Sequence, residues 1–143
     1  MTLLVQKFGG TSLGSIERIK AVAQRIKSNK DNGNDLVIVV SAMGHTTDEL
    51  SHLASEITIN PPHREMDMLL STGEQVSISL LTMALNELGI PSISLTGTQA
   101  GIITESVHGK ARILEIRTER IKNLLAHGKT IVIAGFQGTS LGI

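Results

Sequence analysis

Leu3-Leu4-Val5-Gln6-Lys7-Phe8-Gly9-Gly10-Thr11-Ser12-Leu13-Gly14 opens the chain with an apolar run that passes into a glycine-rich turn. A buried-type strand followed by such a turn and then a helix makes an anion site. Glycine lets backbone approach a ligand closely, and amides at the turn and helix start point toward negative charge. Lys7 stands just before the glycines, where its ammonium can reach the same anion. The order excludes two common phosphate loops. A Walker A loop places Lys after the glycines, and neither that string nor G-x-G-x-x-G occurs here.

Outward from this stretch, strand and helix patterns alternate. Residues 3–7 read as the first strand. Ser15 suits the N-cap of a helix with Ile16, Ile19, Val22 and Ile26 on one face, ending near Asn32-Gly33. Residues 36–40, Leu-Val-Ile-Val-Val, are expected to form a strand buried on both faces of a parallel sheet. A polar loop over 41–46 comes next. Thr46 and Glu49 have capping-box spacing and are expected to open a helix bearing Leu50, Leu53, Ala54 and Ile57.

Pro61-Pro62 breaks the chain, and a longer helical pattern runs over 64–88, with Gly73 expected to interrupt it. Gly89 and Pro91 are a stop signal. Residues 93–95 read as a short strand before a Thr/Gly loop over 96–101. Residues 102–104 and 112–116 read as a hairpin. Thr118 is expected to cap a helix through Leu125, His127 suits its last turn, and residues 130–134 form a last β-branched strand. The succession predicts an α/β fold: an open, mostly parallel sheet with helices on both faces, a three-layer α-β-α sandwich. Such sheets bind ligands at the carboxyl ends of their strands, where the loops 7–14, 41–46, 96–101 and 135–143 gather. The strand ending at Ala134 is expected to lack cover, since only nine residues come after it. That suggests the N-terminal portion of a larger α/β unit.

Composition narrows the function classes. With 143 residues the chain suffices for one domain with a real core. Thirteen basic and thirteen acidic side chains cancel, so no charge-driven attraction to nucleic acid or lipid is implied. Phe8 and Phe136 are the only aromatics, too few for base stacking. The absence of cysteine excludes disulfides and thiolate metal sites. No apolar run approaches the roughly 18 residues of a membrane span, and a cytoplasmic protein is expected. His45, His52, His63, His108 and His127 show no H-x-x-x-H or carboxylate-paired spacing, so no protein metal site is expected. Met66, Met68 and Met83 read as core or interface filler.

Four motifs stand in order: Lys7-Phe8-Gly9-Gly10-Thr11-Ser12; Ser41-Ala42-Met43-Gly44-His45-Thr46-Thr47-Asp48; Met68-Leu69-Leu70-Ser71-Thr72-Gly73-Glu74; and Gly135-Phe136-Gln137-Gly138. Together they resemble the aspartate kinase family, within the amino-acid-kinase superfamily of carbamate-kinase-like folds, collinearly over 2–138. The resemblance implies ATP-dependent phosphorylation of the L-aspartate β-carboxylate, the first step toward lysine, threonine and methionine. It implies Lys7 as the catalytic residue, neutralising charge on the transferring phosphoryl group. Lys7, Phe8, Gly9, Gly10 and Ser41 are the implied ATP- and phosphate-binding positions. Thr47, Glu74 and Phe136 are the implied substrate positions, with Glu74 meeting the α-ammonium. Mg²⁺ would arrive with the nucleotide, and the full-length form would be a homo-oligomer. Residues 1–143 would be the aspartate- and phosphate-binding part of a catalytic domain. The nucleotide-binding half and the ACT regulatory modules of the family have no counterpart here. Taken singly, Lys7 also reads as a strand-end lysine, Ser41 as a loop hydroxyl, Thr47 as a helix-start residue and Glu74 as a solvated helix charge. The alternative readings are a catalytically inactive fragment that at most binds aspartate or an anion or pairs with another subunit, and another carboxylate kinase of the superfamily.

Overall fold

The computed structural model describes residues 2–104, 113–135 and 139–140. Its main sheet has four parallel strands in the order β1-β2-β6-β3: β1 (Leu3–Phe8), β2 (Asp35–Val40), β3 (Ser92–Leu95) and β6 (Thr130–Ala134). A second sheet, ordered β5-β4-β7, combines β4 (Ile102–Thr104), β5 (Ile113–Ile116) and β7 (Thr139–Ser140). β4 and β5 are antiparallel, as the hairpin reading expects.

The helices are α1 (Ile16–Asp31), α2 (Thr46–Ile57), α3 (His63–Glu87), α4 (Gly97–Ala100) and α5 (Glu119–Ala126). One face of the sheet presents Leu36, Ile38, Val40, Val132 and Ala134 to Ile19, Val22, Ala23 and Ile26 of α1 and to Ile78, Leu81 and Leu85 of α3. The other face, formed by Val37, Leu95, Ile131 and Ile133, packs with Ala100 of α4 and with Ile121, Leu124 and Leu125 of α5. Alternation along β2 and β6 therefore feeds both cores. Topology explains the division of helices. The chain moves from β1 to β2 to β3 in one direction, then turns back to insert β6 between β2 and β3. Right-handed crossovers put the helix of a reversed step on the opposite face, which is where α5 lies.

Several sequence expectations need correction. The last strand of the main sheet is not uncovered: β6 is interior, buried along its whole length, with helices of this chain on both sides. β1, an edge strand, is incompletely covered: its Leu3 and Val5 are 52% and 65% exposed. The Thr46–Glu49 capping box does not form, because the N-cap is His45 and no side chain bonds there. A capping box forms instead at Thr96–Gln99, making the expected loop a short helix. Ser15 does cap α1, accepting from the Arg18 amide at 3.2 Å. Thr118 occupies an N-cap without a side-chain bond. Met68 and Met83 are exposed, so neither fills the core of this chain. His45–Asp48 (3.7 Å) and His52–Glu56 (2.8 Å) do pair along α2, at its exposed surface.

Gly73 does not interrupt α3, which runs unbroken for 25 residues. It is an approach point. A Cβ there would stand 3.0 Å from Thr46 Cγ2, 3.2 Å from Ala42 Cβ and 3.4 Å from Leu50 Cδ1. Glycine lets α3 lie this close to α2 and the loop before it without displacing these side chains. By length and composition α3 is able to cross a bilayer; its buried stripe from Gly73 to Leu85 instead packs within the protein.

Candidate active site

The carboxyl ends of the parallel strands bring three of the sequence motifs together. β1 ends in Lys7 and Phe8, which point to opposite sides of the sheet. Lys7 is exposed and in register with Val39, whereas Phe8 is buried in the α1–α3 core with the Arg25 guanidinium 5.5 Å from its ring centre. Any contact between Phe8 and a phosphate is therefore through its backbone. Gly9 is extended (φ −85°, ψ 173°) and leads into a single 3₁₀ turn, Gly10–Leu13, closed by Ser12 N–H to Gly9 O at 3.1 Å.

This turn rests on the loop after β2. Gly44 N–H donates to Gly10 O at 2.8 Å, and Ser41 N–H donates to Phe8 O at 3.3 Å. A Cβ on Gly10 would stand 2.9 Å from Ala42 O and 3.0 Å from Gly44 O, too close for a side chain beside backbone. Ala42 thus faces Gly10 with its carbonyl and Gly73 with its methyl. The β6 end joins the same edge, with Gly135 N–H donating to Val40 O at 2.8 Å.

α3 completes the cluster. Glu74 stands next to Gly73 and is 8% exposed, so it is not a solvated helix charge. Carboxylates are rarely this buried unless they are engaged. One turn later, the fully buried Ser77 hydroxyl donates to Ser41 O at 2.6 Å. Ser41 is therefore held by β1 through its amide and by α3 through its carbonyl. Thr47 is exposed at the start of α2, beside the Thr46 that touches the Gly73 position. Lys7, Gly9, Gly10, Ser41, Thr47 and Glu74 all lie on backbone segments clamped to one another. Phe136 lies outside the described residues.

Enclosure is a separate matter. A shallow hollow of about 280 Å³ lies on the α1 side of the glycine turn, lined by Thr11, Ser12, Arg18, Ala21 and Arg25. A larger one of about 500 Å³ lies between α1 and α3. Neither is lined by Lys7, Ser41, Thr47 or Glu74. Among the described residues no group of three His, Asp or Glu side chains stands together as a metal donor set.

Two supporting residues escape a sequence reading. Arg18 donates from Nη1 to Thr11 O at 2.7 Å, tying the glycine turn to α1. Its place in the first turn of a capped helix carries no such message. Ser77 sits among apolar neighbours on a helix; its only signal is a hydroxyl in an apolar stripe, three residues after Glu74.

The sequence profile of the amino acid kinase family matches residues 2–142. An aspartokinase of Bacillus sp. (strain MGA3) is 66% identical over 138 residues, covering 96% of this chain and 34% of that protein. The crystal structure of an aspartate kinase from Synechocystis, 53% identical, superposes with a TM-score of 0.82 over 100% of this chain and 24% of its own. A Giardia carbamate kinase, 12% identical, shares the fold with a TM-score of 0.71 over 97% of this chain and 61% of its own. The chain spans about a third of the length of the curated relatives it matches.

Proposed function

This chain belongs to the amino acid kinase family, and on that premise we propose that it forms part of an aspartate kinase. The reaction is attack of the L-aspartate β-carboxylate oxygen on the γ-phosphorus of ATP. The bond from that phosphorus to the β,γ-bridging oxygen breaks, ADP leaves, and 4-phospho-L-aspartate forms. The observation that carries this reading is the mutual clamping of the glycine turn, the Ser41 loop and the Gly73-Glu74 turn at one sheet edge. They occur in a chain 66% identical to an aspartokinase.

Phosphoryl transfer depends mainly on positioning and charge neutralisation. Lys7 supplies positive charge beside the transferring group. The Gly9 and Gly10 backbone approaches the phosphate oxygens, and Ser41 lines the same side. Glu74 receives the aspartate α-ammonium, and Thr47 and Phe136 border the substrate. Mg²⁺ would arrive with the nucleotide, on its phosphates. The 143 residues constitute the aspartate- and phosphate-binding part of the catalytic domain. The complete protein is a cytoplasmic homo-oligomer acting at the start of lysine, threonine and methionine synthesis.

A substrate panel tests the proposal. The full-length protein is incubated with ATP, hydroxylamine and each of aspartate, glutamate and acetylglutamate, and hydroxamate formed from the acyl phosphate is measured. ATP-dependent product with aspartate well above the others is expected. Preference for another carboxylate would reassign the substrate within the family. The 143-residue chain by itself is expected to be inactive.

A further inference from the structure

Ser77 is a buried hydroxyl that the phosphoryl-transfer roles leave unused. It lies in the stripe of α3 that also buries Gly73, Glu74, Ile78, Leu81 and Leu85, and its own exposure is 0%. A hydroxyl there gains nothing from helix propensity, since alanine is the better helix former. Burying it is unfavourable unless it is hydrogen-bonded. Other hydroxyls of α3 bond back to their own helix: Thr72 to Leu69 O at 2.7 Å, and Ser79 to Gln75 O at 2.7 Å. Ser77 also has its own-helix acceptor, Glu74 O, at 3.0 Å. Its shorter bond, 2.6 Å, crosses 36 residues of sequence to Ser41 O.

A hydroxyl has one proton, and here it lies between the carbonyls of the two residues proposed for opposite ends of the reaction. The Ser41 amide in turn donates to Phe8 O, immediately before the glycine pair. Hydrogen bonds thus link the end of β1, just before the glycine turn, through the backbone of Ser41 and Ser77 Oγ to the Glu74 turn. We propose that Ser77 is a positioning residue that sets the Glu74 turn in register with the Ser41 loop. It thereby aligns the amino-acid acceptor with the phosphate side. This rests on the aspartate kinase reading of Ser41 and Glu74. Ser77 touches neither substrate; it acts through its two carbonyl acceptors.

The test uses the full-length protein with three variants. Ser77→Ala removes the bond. Ser77→Cys keeps nearly the same size with a weak donor. Ser92→Ala removes another buried hydroxyl, which bonds Ile90 O at 2.9 Å away from the site. Ser77→Ala is expected to lower kcat/KM for aspartate about tenfold, chiefly through KM, because small misplacements of an aligned substrate are costly. Ser77→Cys should recover part of this loss, and Ser92→Ala should lower Tm with KM unchanged. Hydrogen exchange supplies a readout independent of catalysis. The Gly44 and Thr46 amides, bonded to Gly10 O and Met43 O, should exchange faster in Ser77→Ala and not in Ser92→Ala. Equal KM and equal loop exchange in the two alanine variants would make Ser77 a packing residue only and overturn the inference. A wild-type protein that does not phosphorylate aspartate would instead overturn the activity reading, and the exchange comparison would still decide whether Ser77 couples the two segments.

Discussion

Gly10 and Ala42 meet backbone to backbone: a Cβ on Gly10 would lie 2.9 Å from the Ala42 carbonyl oxygen. The neighbouring Gly9 has nothing within 4 Å of the same imagined atom. Two adjacent glycines in one motif therefore have different reasons to be glycine. Gly10 is required by the fold, whereas the space beside Gly9 is open to a ligand.

This difference gives the first prediction. Gly10→Ala should destabilise the protein by about 1–3 kcal/mol, because backbone rather than a flexible side chain must move. Gly9→Ala should leave stability within about 0.5 kcal/mol, since its backbone is extended and its surroundings open. It should nonetheless reduce turnover by crowding the bound phosphate. Thermal melts and ATP kinetics on both variants separate the two roles.

Lys7 is exposed at the end of β1. Replacing it with alanine should change Tm little, as most exposed substitutions do. The expected loss of kcat is about 10²–10³-fold, typical for removing a group that stabilises transition-state charge. Turnover within a few-fold of wild type would remove Lys7 from the catalytic assignment.

Helix starts offer a third check. Ser15→Ala should cost about 1 kcal/mol, because the serine hydroxyl accepts the Arg18 amide bond. Thr46→Ala should show no cap penalty, since no side chain caps α2. Urea denaturation midpoints measure both.

The two cores and the exposed edge differ in a fourth. Leu81→Ala, at a fully buried position between α3 and the sheet, should cost about 2–5 kcal/mol. Val5→Ala, on the exposed face of β1, should cost well under 1 kcal/mol in the 143-residue chain. In a longer protein that covers this face, the Val5 cost should rise. Equal costs in the short and long forms would indicate that β1 stays open.

Much of the candidate site is legible in linear order. The strand–glycine–helix opening, the loop after β2 and the Gly73-Glu74 segment each carry residue types whose chemistry is local; the first two stand at strand ends because the sheet is parallel, and the third is brought to them by the packing of α3. Gly73 reads as a helix break from sequence because a glycine in a helix looks the same whether it bends the chain or admits a neighbour. The neighbours, Ala42 and Thr46, are about thirty residues away in sequence and adjacent only after folding. Ser77 escapes for the same reason, its significance residing in an acceptor 36 residues distant. The capping box shows the converse failure. Thr46-x-x-Glu49 has the spacing, yet His45 takes the cap position.

Sequence alone determined most of the elements of the main sheet, their alternation, the parallel character of the sheet and the glycine turn after β1, because periodicity and turn chemistry act over a few residues. The tertiary structure decided which strand is interior. β6 comes late in the chain yet inserts between β2 and β3, while β1 comes first and lies at the edge. Strand order is set by which apolar faces pack when all the helices are in place. The right-handed return from β3, which puts α5 on the second face, is a property of the assembled sheet and of no short segment within it.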